Sequence, residues 1–284
     1  MVKNERSDTM KFGFISDIHL DMAKEDLLPV FIETLENKDI DTLVIAGDIT
    51  EDADETIRVI DELNQTLPYP TFYVPGNHDM WNKANKQNTL SIYEKFRNHK
   101  YCLTNQIVTL NDFYLIGDIF WYDYSYANQK VFSIDQLENK QFDKRKWKDS
   151  LYVNWNMDDT TVSNHMIDTL KAQLNLIDPT KTIVISHMIN HPKFSVPESK
   201  RKEWGFFNAF LGSNRLYETL LEENVNYAVC GHVHFRHTIK EKNTTFICPC
   251  LSYEKEWQLF DDSDLSPEYH INKTLKIINT DENK

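Results

Sequence analysis

Side chains able to bind metal ions follow several short apolar segments of this sequence, each at the point where the segment ends. They carry imidazole, carboxylate or amide groups and are Asp17, His19, Asp48, Asn77, His78, Asp79, His187, His232 and His234. Imidazole nitrogen suits first-row transition metals, whereas carboxylate and carbonyl oxygens suit harder cations. A mixed set of nitrogen and oxygen donors without thiolate therefore indicates a hydrolytic metal site and not a structural cysteine-type zinc site.

The number of these donors is larger than one tetrahedral ion requires. It fits two ions that share a bridging carboxylate, an arrangement found in phosphatases and nucleases. If Asp17 and Asp48 are the only anionic ligands, two divalent ions keep a net charge of about +2, which a bridging hydroxide lowers to about +1. Such a centre stays positive within an acidic chain and would attract an anionic phosphoryl group.

The segments that precede these donors are rich in β-branched and aromatic residues, which predicts buried strands. They comprise residues 12–16, 43–47, 72–76, 183–186 and 227–231. Apolar residues at helical spacing predict helices at about 24–37 and 56–67, so the chain begins strand, helix, strand, helix, strand. This order favours a parallel sheet covered by helices. Ligands of open α/β sheets collect beyond the carboxyl ends of the strands, where the candidate donors are expected to meet.

The rest of the chain predicts further elements of an α/β protein. Helices are expected at about 88–96, 160–177 and 214–223. A hairpin is expected at 107–116, and antiparallel strands that could complete a second sheet are expected at 235–239, 245–247 and 269–278. The stretch at about 118–159 is crowded with aromatic residues and lacks clean periodicity. We interpret it as an insertion within a single domain of residues 1–284.

Five blocks of this sequence, taken in order, resemble the signature of the calcineurin-like metallophosphoesterases, and in particular of bacterial-type phosphohydrolases. The blocks are Asp17-Ile18-His19, Gly47-Asp48, Gly76-Asn77-His78-Asp79, His187 and Gly231-His232-Val233-His234. Each block alone is weak, but together, in order and each after a strand, they form a strong signal. The resemblance implies a two-sheet αββα sandwich flanked by helices. It also implies two first-row transition-metal ions drawn from Mn, Fe, Zn, Co or Ni.

The resemblance further implies how the ligands divide between the two ions. Asp48 would bridge both ions. One ion would be bound by Asp17, His19 and His234, and the other by Asn77, His187 and His232.

The same resemblance implies that His78 is a catalytic residue and not a ligand. It would face the substrate and either protonate the leaving oxygen or steady the charge of the transition state. Asp79 would orient His78 or tie down its loop. Some family members carry an aspartate three residues after the bridging Asp48, where this chain has Glu51. Glu51, Asp52 and Asp79 are therefore all candidates for the support of His78.

Further side chains could contact the substrate. Asn77 is expected to do so from its ligand position. His191 follows His187 in a loop expected to rim the pocket, although a solvated loop histidine next to Pro192 is an equal alternative. The aromatic run at 121–125 could form a pocket wall that stacks a base or aryl group, or it could form a small core of the insertion.

The expected function is hydrolysis of a small phosphate ester by metal-bound hydroxide attacking phosphorus. Phosphodiesters are expected to be preferred over monoesters, since a non-ligand histidine beside the asparagine ligand suits protonation of an alkoxide leaving group. One alternative is a non-catalytic scaffold with the same fold, which should have lost ligand positions. A nuclease is a further alternative, but the net charge of −13 makes a nucleic-acid partner unlikely.

The sequence also predicts a compartment. The first ten residues are polar and indicate no secretory signal, and no apolar run is long enough to span a bilayer, so no membrane partner is expected. The four cysteines are too few and too scattered for a disulfide framework. We therefore expect a cytoplasmic protein, and the sequence indicates no oligomeric state.

Overall fold

The computed structural model describes residues 9–81, 83, 88–199, 201–260 and 264–280. Its strands form a four-stranded sheet, a six-stranded sheet and a short two-stranded sheet. The four-stranded sheet contains β1 (Lys11–Ile15), β2 (Thr42–Ala46), β3 (Thr71–Val74) and β12 (Lys276–Asn279). The six-stranded sheet contains β4 (Val108–Leu110), β5 (Phe113–Asp118), β8 (Thr182–Ser186), β9 (Tyr227–Val229), β10 (Arg236–Glu241) and β11 (Thr244–Pro249). The two-stranded sheet pairs β6 (Gln141–Phe142) with β7 (Arg145–Lys146).

Parallel pairing dominates the centre of both large sheets. In the first sheet β1, β2 and β3 run parallel, and β12 adds an antiparallel edge to β1. In the second sheet β5, β8, β9 and β11 run parallel, while β4 and β10 are antiparallel edges. The parallel pairing of the first three strands and the hairpin expected at 107–116 are both confirmed.

Alternate residues of the strands separate the core into two layers. Phe12 and Phe14 of β1 share one buried apolar cluster with Ile183 and Ile185 of β8, which belongs to the other sheet. Intervening residues such as Ile15 belong to the larger cluster that includes the helices. Because successive side chains of a strand point to opposite faces, the first cluster fills the space between the sheets. The predicted two-sheet sandwich flanked by helices is therefore confirmed.

The helices follow the strands at positions that local chemistry accounts for. Asp52 caps one helix by accepting hydrogen bonds from the backbone N–H groups of Asp54 and Glu55, and Pro29 stands in the first turn of another. The helices are α1 (Leu28–Leu35), α2 (Ala53–Thr66), α3 (Thr89–Arg97), α4 (Ile134–Glu138), α5 (Asp149–Tyr152), α6 (Asp159–Leu174), α7 (Trp204–Phe207), α8 (Asn214–Glu222) and α9 (Pro267–Thr274). No helix in the described ranges is both long and apolar enough to cross a membrane.

The predicted strand at 269–278 is wrong for most of its length. The chain forms α9 there, because Ser266 accepts a hydrogen bond from the backbone N–H of Tyr269 and Pro267 occupies the first turn. Only the last residues form a strand, β12, and it pairs with β1 of the first sheet instead of completing the second. The strands predicted at 235–239 and 245–247 are confirmed as β10 and β11.

Candidate metal centre

The carboxyl ends of strands from both large sheets meet at one place. Asp17, Asp48 and Asn77 lie beyond the ends of β1, β2 and β3 of the first sheet. His187 and His232 lie beyond the ends of β8 and β9 of the second. The backbone N–H of Asp17 donates to the carbonyl of Gly47 at 3.0 Å, and that of His232 donates to the Asp17 carboxylate at 3.0 Å. The first bond joins neighbouring strand ends of the first sheet, and the second joins the ends of the two sheets.

Several candidate ligands at this junction have a backbone in the left-handed conformation, with a positive φ. A positive φ is uncommon outside glycine and costs roughly 1–3 kcal/mol at each site that holds it. The candidate ligands that adopt it are Asp17 (φ 53°), His19 (41°), Asp48 (53°), His232 (72°) and His234 (56°). Such strain collects at functional sites, where the surrounding structure fixes it.

Two glycines are required by the crowding around these turns. Gly47 has a φ of +84°, and a Cβ added there would lie 2.6 Å from Nδ1 of His187. A Cβ added at Gly76 would collide with the Asp48 carboxylate. The glycines of the Gly47-Asp48 and Gly76-Asn77 blocks therefore allow backbone to approach the candidate ligands.

One group of donors contains Asp17, His19 and His234, whose candidate ligand atoms all lie within 4.8 Å of one another. Nε2 of His19 is 3.2 Å from Nε2 of His234, which in turn is 3.5 Å from Oδ1 of Asp17. Oδ2 of Asp48 is 3.8 Å from Nε2 of His19. Imidazole and carboxylate lone pairs that converge in this way fit a divalent cation.

The second group contains Asp48, His187 and His232, again with ligand atoms within 4.8 Å of one another. Oδ1 of Asp48 lies 3.4 Å from Nε2 of His187. Oδ1 of Asn77 lies 2.9 Å from both Nε2 of His187 and Nδ1 of His232. Asp48 thus presents one carboxylate oxygen to each group, which is the geometry expected of a bridging ligand.

The outer nitrogens of three imidazoles have acceptors that fix the rings. Nδ1 of His187 is 2.9 Å from the carbonyl of Ala46, and Nε2 of His232 is 3.2 Å from the carbonyl of Phe210. Nδ1 of His234 is 2.6 Å from the Glu256 carboxylate. When each outer nitrogen donates to these oxygens, each inner nitrogen presents a lone pair. The donor set therefore fits metal ions chemically.

Electrostatics at this junction are dominated by two buried carboxylates, Asp17 and Asp48. Burial opposes ionisation of Asp17, but the hydrogen bond and charge of His234 outweigh it and hold its pKa well below the usual value. Burial also lowers the pKa of His187, yet the charge of Asp48 and its hydrogen bond raise that pKa to about 9. Burial lowers the pKa of His19 to about 3. Positive charge beside the two carboxylates is thus strongly favoured, and cations would supply it.

His78 lies beside these groups with one face towards a cavity. Its Nδ1 is 3.2 Å from the Glu51 carboxylate, and its ring stacks on Trp81 at 3.8 Å between centroids. Glu51 also forms an ion pair with Lys83. Of the three candidates for the support of His78, the structure places Glu51 in contact, while Asp52 caps α2. His78 also shares a donor group with His19 and Asp48.

Asp79 is fully buried and holds two loops together. Its carboxylate accepts hydrogen bonds from the backbone N–H groups of Asp48, Ile49, Thr50 and Gly76 at 2.7–3.0 Å. It also accepts one from the hydroxyl of Thr56 at 2.7 Å. Of the two roles considered, this geometry corresponds to tying down the loops that carry Asp48 and Asn77.

The structure does not bring His191 to the candidate centre. Its side chain is 1% exposed, and its Nε2 lies 3.3 Å from the Glu241 carboxylate. The ring packs against Tyr217 and Phe246. The backbone after His187 enters the core, where Ile189 pairs with Gly212, so His191 reaches neither the cavity beside His78 nor solvent.

A cavity of about 460 Å³ opens over the candidate centre. That volume lies within the range of small-molecule sites. It is lined by Asp48, Asn77, His78, Trp81, Arg145, Lys146, Trp147, Lys148, Asp149, Phe207, His232, His234 and Tyr253. The run at 121–125 is absent from this lining, and Trp121 and Tyr122 are buried in the main core. The part of the aromatic stretch that forms the wall is instead centred on Trp147.

Asp149 is a component of the site that the sequence patterns did not reveal. Its buried carboxylate accepts hydrogen bonds from Nδ2 of Asn77, Nε1 of Trp81 and Nε1 of Trp147, each at 2.8 Å. The first of these bonds turns the amide oxygen of Asn77 towards His187 and His232. Asp149 is 72 residues from Asn77 and belongs to no motif. Glu256, which contacts His234, likewise belongs to no motif.

A two-sheet sandwich that collects histidine, aspartate and asparagine donors at its strand ends has the architecture of a metal-dependent phosphoesterase. The chain belongs to the calcineurin-like phosphoesterase family, whose model matches residues 10–236. An uncharacterized metallophosphoesterase from Helicobacter pylori is 27% identical over 75 residues, which are 25% of this chain and 20% of that protein. That match therefore spans about a fifth of the relative's length.

Comparison with solved structures gives matches at low sequence identity. Phosphopantetheinyl hydrolase from Mycobacterium tuberculosis superposes with a TM-score of 0.75 and 18% identity, over 94% of this chain and 95% of that chain. A dimetal phosphatase from Danio rerio gives a TM-score of 0.49 and 15% identity, over 84% of this chain and 86% of that chain. The likeness to the hydrolase supports the two-sheet architecture across nearly the whole chain.

Replacing Glu256 with glutamine is expected to weaken one Mn²⁺-binding step about 10–100-fold, the usual scale for groups that orient metal-bound histidine. The amide keeps a hydrogen-bond acceptor for His234 but loses the negative charge. Titration calorimetry measures the effect. Glu254→Gln is the matched control, because Glu254 pairs instead with Lys24 near the surface. Equal affinities in the two variants would contradict the role of Glu256.

Replacing Asp149 with asparagine is expected to weaken Mn²⁺ binding at the Asn77 position about 10–100-fold. An amide has a single acceptor oxygen, so its NH₂ group must face one of the N–H donors that now converge on the carboxylate. Mn²⁺ titration calorimetry is the readout.

The control for this substitution is Asp118→Asn. Asp118 is also buried and accepts hydrogen bonds from Tyr93 and Ile119, but it lines a cavity that shares no residue with the candidate centre. Its variant should bind Mn²⁺ as the native chain does. Comparable weakening in both variants would show that lost buried hydrogen bonds, and not the orientation of Asn77, cause the effect.

Proposed function

We propose that this chain hydrolyses a small phosphate ester with two divalent first-row metal ions. Asp17, His19 and His234 would hold one ion, Asn77, His187 and His232 would hold the other, and Asp48 would contribute to both. The observation that carries this proposal is that the two carboxylate oxygens of Asp48 face separate groups of histidines. When bound, the two ions polarise phosphoryl oxygens and lower the pKa of water to about 7.

His78 is proposed to act on the leaving group. Its Nδ1 is 3.2 Å from the Glu51 carboxylate, and its Nε2 lies 4.0 Å from Oδ2 of Asp48, beside the candidate metal centre. A protonated His78 can donate from Nε2 to the departing oxygen while the Glu51 carboxylate stabilises the imidazolium. Stacking on Trp81 fixes the plane of the ring. A proton donor in this position matters most when the leaving group is an alkoxide.

We infer a preference for phosphodiesters over monoesters from this proton donor, because a diester with an alkyl leaving group gains most from it. A phosphopantetheinyl ester belongs among the diesters to be assayed, because the Mycobacterium tuberculosis protein that shares this fold is a phosphopantetheinyl hydrolase.

The two alternative functions are less well supported. A non-catalytic scaffold should have lost ligands, yet every candidate donor is present and the donor groups converge. A nuclease needs a broadly basic surface, which a chain with a net charge of −13 does not offer. We therefore propose a small-molecule substrate and no nucleic-acid or membrane partner.

A cytoplasmic location is proposed on the basis of the cysteines. All four of them are free and buried. Sγ of Cys248 and Sγ of Cys250 lie 3.5 Å apart without forming a disulfide. Free thiols are typical of proteins that function in a reducing compartment.

Replacing His78 with alanine is expected to lower turnover of an alkyl diester, such as glycerophosphoethanolamine, by about two to four orders of magnitude. The loss should be much smaller for bis-p-nitrophenyl phosphate, because nitrophenolate leaves without a proton. Both rates are measured with Mn²⁺ added, and calorimetry checks that the variant still binds the metal. Equal losses for the two substrates would show that His78 is not the proton donor. Hydrolysis of neither by the native chain would refute the proposed function.

A further inference from the structure

One short segment of this acidic chain is strongly basic. We call residues 140–148 the basic hairpin, since they contain β6 and β7. Its only acidic residue is Asp143, and its basic residues are Lys140, Lys144, Arg145, Lys146 and Lys148. The whole chain carries 44 acidic and 31 basic residues, so this concentration of positive charge opposes the overall balance.

The basic hairpin borders the same cavity as the candidate metal centre. Arg145, Lys146 and Lys148 line that cavity together with His78 and Asp48. A basic loop that only increases solubility has no need to occupy such a position. Positive side chains along the wall of a cleft focus its potential and attract anions into it.

The base of the hairpin is held in place by buried contacts. The backbone N–H of Trp147 donates to the carbonyl of Lys140 at 2.7 Å, and its indole N–H donates to Asp149 at 2.8 Å. Asp149 also accepts from the amide of Asn77. Lys140 is paired with the buried carboxylate of Asp159 at 2.7 Å. The cations that line the cavity therefore have a defined position relative to the metal ligands.

The cavity-lining cations are weakly matched by the protein's own carboxylates. The guanidinium of exposed Arg145 lies 3.6 Å from Glu203 and packs over the ring of Phe207 at 4.5 Å. Within the described parts of the chain, Lys146 and Lys148 form no ion pair. The ammonium of Lys148 lies 5.6 Å from the ring of Trp81, which stacks on His78. These cations are thus available to a bound anion.

The reacting phosphoryl group does not need these cations for charge neutrality. Two divalent ions, the two carboxylates Asp17 and Asp48 and one hydroxide together leave a charge of about +1, which a phosphodiester anion already neutralises. The three cations of the hairpin that line the cavity therefore exceed what the reacting group requires, even when one of them is set against the Asp149 carboxylate. The cavity volume of about 460 Å³ also exceeds that of a bare phosphate and accommodates a group of nucleoside size.

We infer that the basic hairpin binds a second anionic group of the substrate, a phosphate, separated from the scissile phosphodiester by a spacer of about nucleoside size. This inference rests on the proposed function. Lys146 and Lys148 would contact that phosphate directly.

Two chromogenic probes with the same scissile bond test this inference. One is thymidine 5′-(p-nitrophenyl phosphate), and the other is its 3′-phosphorylated form. With Mn²⁺ bound, the native chain should prefer the phosphorylated probe by about tenfold or more in kcat/KM, the scale of a charge-assisted contact. Changing Lys146 and Lys148 together to glutamine should reduce this ratio to about twofold or less.

Lys144→Gln is the matched control, because Lys144 is an exposed residue of the same hairpin that does not line the cavity. It should retain the native ratio. A native chain that hydrolyses both probes equally, or a preference that survives in the double variant, would overturn the inference and leave the proposed function intact. Hydrolysis of neither probe would overturn the proposed function and this inference with it.

Discussion

The structure depends on burying the carboxylates of Asp17 and Asp48 at the junction of two sheets. Desolvating a carboxylate is costly unless positive charge and hydrogen bonds compensate it. Backbone N–H groups supply part of this compensation, and the raised pKa values of His187 and His234 show that the carboxylates favour positive charge beside them. The left-handed turns and close glycine approaches serve the same end, because they bring both carboxylates and the histidines into one small space. An arrangement that concentrates charge at this cost is understandable as a binding site for cations.

The aromatic stretch at 118–159 is connected to this junction through Asp149. The three N–H groups that converge on its carboxylate come from a candidate metal ligand, from the residue stacked on the candidate proton donor and from the base of the basic hairpin. The candidate ligand, the candidate proton donor and the cavity wall therefore all depend on one buried group, the proton donor through Trp81. This stretch thus supplies part of the cavity wall and also, through Asp149, a contact that orients the candidate ligand Asn77.

Most strands, and the side chains that converge at their ends, could be predicted from sequence because they depend on local patterns. Buried strands have recognisable apolar runs, and the ligands stand directly after them. The partners of those ligands could not be predicted, since Asp149 and Glu256 act across long separations and belong to no pattern. For His191 the sequence position was misleading. Its place shortly after His187 predicts a residue at the rim of the pocket, but its ring is buried beside Glu241. At 269–278 the chain forms mainly a helix in place of the expected strand, because capping by Ser266 and the presence of Pro267 favour a helix.

The proposed role of Asp48 is to bridge two metal ions. The most direct measurement is the metal content per chain after loading with Mn²⁺ and removal of the excess, determined for the native protein and for Asp48→Asn. We expect two ions per native chain and loss of both in the variant, because a neutral amide is a poor bridge. One ion or none in the native chain, or two ions retained by Asp48→Asn, would contradict this role.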